Sequence, residues 1–130
     1  MSGEWEGTFT YPGGDATTPF SARIVETAGR FAGSIIEPEM YAPANPITAE
    51  IVGNRDTRSV DFTKIYIDPE EGYENPVDYV GQLSPDGLTV SGMWSLLDMN
   101  GTFEMYRDAG LAELEEAETA ETVPASAERP

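Results

Sequence analysis

Lys64 is the only lysine of the chain, and it stands in the run Phe62-Thr63-Lys64-Ile65-Tyr66. In an extended strand alternate residues share a face, so Lys64 lies with Val60, Phe62 and Tyr66. An apolar cavity penalises the charged form of a lysine. Such a lysine can act as a nucleophile, carry a proton, or anchor a carboxylate. The structural alternative is an ion pair at a barrel rim with Glu37 or Glu26, which continue the apolar faces of their own strands. Either glutamate, if buried, could be a general base with a raised pKa. Glutamate more commonly marks a strand end in water.

Much other chemistry is excluded. The chain has no histidine and no cysteine. Disulfides, thiol chemistry and a nucleophile–His–Asp arrangement are therefore absent. Gly13-Gly14 lacks the helix and lysine of a phosphate loop. Asp68, Glu70, Glu71 and Glu74 crowd one loop with Asn75, but their spacing is not that of a calcium-binding EF-hand. No metal and no cofactor is assigned. The net charge of −17 repels a phosphate backbone and an anionic lipid surface. Neither nucleic acid nor membrane is expected as a partner. The start, MSGEWEG, has no basic region and no apolar region of a signal peptide. No apolar run approaches the roughly 20 residues of a membrane span, and the expected location is the cytoplasm.

The elements that must position Lys64 are short strands. There are 13 glycines and 10 prolines among 130 residues, a composition that suits many turns in a single small domain. Period-2 alternation marks strands over Glu4–Tyr11, Thr18–Thr27, Arg30–Glu37, Ile47–Val52, Arg58–Ile67, Val77–Leu83, Leu88–Leu96 and Gly101–Arg107. Ala28-Gly29, Asn54–Asp56 and Ser84–Gly87 read as turns. Longer links fall at Pro12–Ala16, Pro38–Pro46 and Asp68–Pro76, with Leu97–Asn100 as the fourth on that side. In a meander these alternate links share one end, which predicts a cup with a tight base and a loop-rimmed mouth. Gly-Thr-Phe occurs in both the first and last strands, which suggests that the two pair and close the sheet. The fold class expected is an all-β, eight-stranded, antiparallel up-and-down barrel over residues 1–109. Residues 110–130 read as an acidic, mostly disordered tail.

Gly3-Glu4-Trp5 on the first strand, with Arg107 from the last, resembles the calycin superfamily of lipocalins, fatty-acid-binding proteins and avidins. The resemblance implies a barrel that binds a small molecule, with Arg107 over Trp5 at its closed base as architecture. Val77-Asp78-Tyr79 is faintly similar to a lipocalin Thr-Asp-Tyr motif. The biotin contacts of avidins do not carry over, and without histidine neither does the axial haem ligand of nitrobindin-type barrels.

On this reading Tyr11, Phe20, Lys64, Tyr66, Tyr79, Trp94 and Phe103 line the mouth half and bind a small apolar or amphipathic molecule. Lys64 would orient its polar or acidic end. Inward glycines at 7, 33, 81 and 92 fit sharp coiling or space for a ligand. Met40 and Tyr41 could form a lid or a homodimer contact. Two further functions fit the residues. One is a cofactor-independent isomerase or cyclase, with Lys64, a tyrosine or a glutamate moving the proton. It is analogous in architecture to allene oxide cyclase and spirotetronate cyclase barrels. The other is an interaction protein whose barrel is filled by its own side chains.

Overall fold

The computed structural model describes residues 1–13, 17–38, 46–67 and 75–108. They form β1 (Gly3–Thr10), β2 (Thr17–Thr27), β3 (Arg30–Pro38), β4 (Pro46–Asp56), β5 (Ser59–Tyr66), β6 (Val77–Leu83), β7 (Thr89–Leu96) and β8 (Met99–Tyr106). Each strand pairs antiparallel with the next, and β1 pairs with β8, so the sheet closes into a barrel. Closure leaves no strand edge unpaired. The closing register sets Gly7 opposite Met105 and Phe9 opposite Phe103. The expected strand pairing is therefore present. Met40, Tyr41, the acidic residues 68–74 and the tail 110–130 lie outside the described residues.

One turn falls one step later than the sequence suggests, and another is shorter. Asn54–Asp56 is not a turn; β4 runs through it, and the turn is Thr57-Arg58. The Arg55 amide donates to the Gly29 carbonyl at 2.7 Å, which ties this strand end to the neighbouring hairpin. β8 begins at Met99, so the last turn is only Leu97-Asp98. Thr57 and Leu97 take the left-handed backbone, with φ of 59° and 58°. Neither is Gly or Asn, the usual occupants of that region, so the sequence does not mark the exact turn residues. The fourth mouth link is thus a tight turn rather than a loop.

Alternation puts Trp5, Ile24, Ile35, Ile51, Val60, Phe62 and Val90 in the interior. Several inward glycines make room for rings rather than for a ligand. A Cβ on Gly7 would lie 2.5 Å from the tip of the Phe20 ring. Gly81 faces Gly92 across β6 and β7, and a Cβ on Gly81 would lie 3.1 Å from the Phe103 ring. The middle of the barrel is accordingly packed by aromatic side chains laid over bare backbone.

The base is closed by polar contacts around Trp5. Its indole N–H donates to the Met1 carbonyl at 2.8 Å, and the Arg107 guanidinium lies 4.9 Å from the ring centroid. This cation–π contact contributes on the order of 1 kcal/mol or more where it is desolvated. Arg107 also donates to the carbonyls of Gly87, at 2.9 Å, and Ser2.

Glu26 belongs to this base. Arg55 Nη2 donates to it at 2.6 Å, and the Met1 ammonium lies 2.8 Å from its Oε1. Burial pushes the Glu26 pKa up, but Arg55 and the ammonium outweigh burial and bring it down to about 2. A general base with a raised pKa is therefore ruled out at Glu26. Because the folded pKa is depressed, its stabilisation is complete above the ordinary carboxylate range. It disappears as pH falls from about 4.5 through about 2. Glu26→Gln should reduce urea stability at pH 7 by roughly 1–2 kcal/mol, less than the shift alone would give because solvent screens the partly exposed pairs. At pH 2 the variant and the parent should differ far less.

Candidate functional site

The mouth half holds a cavity of about 90 Å³. Its buried floor and walls come from Phe9 of β1, Lys64 of β5, Val77 and Tyr79 of β6, and Trp94 of β7. Half-buried Tyr11, Tyr66, Leu96 and Met99, with exposed Asn75, surround its upper part. An apolar cavity of about 150 Å³ takes a benzene molecule. The space here is smaller than that, so it encloses a chain end or the polar end of a one-ring molecule whose remainder projects between Tyr11 and Trp94 at the mouth.

Lys64 is 1% exposed and Glu37 is 4% exposed. Lys64 Nζ donates to Glu37 Oε2 at 2.8 Å, and the Tyr66 hydroxyl donates to Glu37 Oε1 at 2.8 Å. The pair is an interior one, not the rim pair that the sequence suggests. Lys64 and Tyr66 sit two apart on β5, so they share a face. Glu37 reaches them from β3 across β4. The inward residue of β4 opposite Tyr66 is Ala49, whose methyl leaves room for the contact. Glu37 occupies the place a ligand carboxylate would take beside Lys64, so a neutral guest suits this cavity better than an acid.

Aromatic rings enclose the same ammonium. Lys64 Nζ lies 4.7 Å from the centroids of Phe9 and Tyr66 and 5.5 Å from that of Tyr79. Ring quadrupoles and the carboxylate together replace the hydration that burial removes.

The Tyr79 ring is held firmly. It stacks on Phe62 at 4.6 Å and meets Phe103 edge-on at 5.0 Å. Its residue is 2% exposed, and its hydroxyl has no hydrogen-bond partner among the described residues. Such a group costs about 1–3 kcal/mol when left unsatisfied. Burial, then the charge of Glu37, raises the pKa of Tyr79 well above its ordinary value. Burial, Glu37's charge and their hydrogen bond do the same at Tyr66. Both phenols stay protonated, so they serve as hydrogen-bond donors and not as phenolate bases.

Of the residues expected to line the mouth, Tyr11, Lys64, Tyr66, Tyr79 and Trp94 converge on this cavity. Phe20 and Phe103 do not line it. Phe20 is packed over Gly7 and stacks on Phe9 at 6.2 Å. Phe103 sits opposite Gly92 and buttresses Tyr79 from behind. Leu96 and Met99 line the cavity but carry no polar signal that a sequence reading could single out. Among the described residues, no three carboxylates gather as a metal site.

No family model and no curated protein matches the chain. Among solved structures it resembles a de novo designed fluorescence-activating β-barrel, with a TM-score of 0.64 and 13% identity. The match covers 83% of this chain and 94% of that one. At that identity the likeness is one of fold.

Proposed function

We propose that this barrel binds a small, neutral, largely apolar molecule with one hydrogen-bond acceptor, held in the mouth cavity. The observation that carries the reading is buried Tyr79, which lines the cavity and whose hydroxyl lacks a partner among the described residues. A guest oxygen beside it would satisfy that donor. Tyr11 and Trp94, in edge contact at 5.4 Å, would cover the apolar part. A calycin-type origin is in keeping with Trp5 and Arg107 at the base. The designed barrel of the same fold is fluorescence-activating, which suits a guest in this architecture.

Calorimetric titration with acetophenone and with toluene tests the proposal. Acetophenone should bind, and Tyr79→Phe should weaken it by about three- to tenfold, the worth of one hydrogen bond. Toluene binding should not change between the two proteins. Absence of binding by both compounds would refute the proposal.

A second reading is a cofactor-independent isomerase. It is favoured by Glu37, a carboxylate that accepts from both Lys64 and Tyr66 at the cavity. Turnover lost in Glu37→Gln with guest binding retained would support it.

A further inference from the structure

We propose that Lys64 captures a small aldehyde or ketone as a reversible imine, with Glu37 as proton acceptor and Tyr79 as hydrogen-bond donor to the carbonyl oxygen. This rests on the cavity being a binding site and names the chemical class of its guest. Two groups that line the cavity, and a third hydrogen-bonded to one of them, carry it. Lys64 lines the cavity and is the chain's one side-chain primary amine. Glu37 Oε2 lies 2.8 Å from its nitrogen. Tyr79 brings a protonated hydroxyl to the same space.

An amine attacks a carbonyl only with its lone pair uncovered. A proton passing from Lys64 Nζ to Glu37 Oε2 uncovers it without leaving a separated charge in the interior. Nitrogen then bonds to the carbonyl carbon, and the C=O π pair moves onto oxygen, where the Tyr79 hydroxyl stabilises it. Transfer of the second nitrogen proton to that oxygen gives the neutral carbinolamine. The Glu37 acid returns its proton to the hydroxyl, the C–O bond breaks, and water leaves. The products are a protonated imine and the Glu37 carboxylate as its counter-ion. Overall, amine plus carbonyl gives imine plus water, with no change of oxidation state. The buried ion pair is regenerated in the product, with the iminium in place of the ammonium. The small cavity encloses only the carbonyl end of the guest, so a short chain or a single ring that extends into the mouth fits.

The test treats the full chain with benzaldehyde and sodium cyanoborohydride and locates benzyl groups by peptide mass spectrometry. Binding of benzyl alcohol, which has the same ring but no carbonyl, is measured in parallel. A benzyl group at Lys64 should form at least tenfold faster in the folded protein than in the same chain in urea. Benzyl alcohol should slow it. Glu37→Gln and Tyr79→Phe should each lower the rate at Lys64 relative to the parent, with their fold checked by circular dichroism. Lys64→Arg keeps a cation but should lose all internal labelling, leaving any terminal amine as a reference. If benzyl alcohol binds and Lys64 is labelled no faster than in urea, imine capture is wrong and the binding reading stands. If neither compound is bound, both fail.

Discussion

Glu37→Ala is expected to destabilise the barrel by about 3–5 kcal/mol, because it leaves the Lys64 ammonium buried without its carboxylate. The same chain with both Glu37→Leu and Lys64→Met should recover most of that loss or exceed the parent. The reason is the balance of terms inside the barrel. Each ion is at most 4% exposed, so desolvation is nearly complete, and the pair's attraction offsets it only while both partners are present. The three rings around Nζ soften the loss but cannot supply a negative charge. Urea denaturation of the two variants measures both halves. A stable double variant would mean that the barrel does not need the pair in order to fold, and would leave cavity chemistry as its use. A double variant as unstable as Glu37→Ala would make the pair structural.

Trp5→Ala should destabilise by a comparable amount, about 3–5 kcal/mol, as expected for a fully enclosed aromatic side chain. Trp5 is 0% exposed. The truncation leaves a cavity at the base, removes the surface under the Arg107 guanidinium, and takes the donor from the Met1 carbonyl. The folded fraction should nevertheless bind a guest as the parent does, since Trp5 does not line the mouth cavity. Thermal melts followed by titration below the melting range separate the two effects. Reduced affinity in fully folded Trp5→Ala would contradict the division between a structural base and a functional mouth.

The alternation of residue types revealed the strands and their inner faces. Val60, Phe62 and Lys64 do point inward together with Tyr66, and Trp5 does meet Arg107. These are properties of single strands, or of two strands brought together by closure. The Lys64–Glu37 contact is of another kind. It joins β3 to β5 across Ala49, so it depends on the stagger of three strands and on the size of the side chain between them. Period-2 reasoning offers two glutamates for Lys64 and cannot choose between them. Stagger also decides that Phe103 backs Tyr79 instead of facing a guest. Phe20 lies off the cavity for a related reason. An inward glycine at 7 leaves a space that looks available to a ligand, and the neighbouring strand fills it. Thr57 and Leu97 obscured the exact ends of two turns, because left-handed backbone there is imposed by the hairpins and not preferred by those residues.

The most direct test of the mouth as the binding site uses the two indole N–H signals in a ¹H–¹⁵N spectrum during titration with acetophenone. Trp94 Nε1 donates to the Thr10 carbonyl at 3.1 Å beside the cavity, and Trp5 Nε1 donates to Met1 in the sealed base. The Trp94 signal should move and saturate while the Trp5 signal stays in place. A Trp94 signal that does not move, or a response confined to Trp5, would contradict a guest site at the mouth.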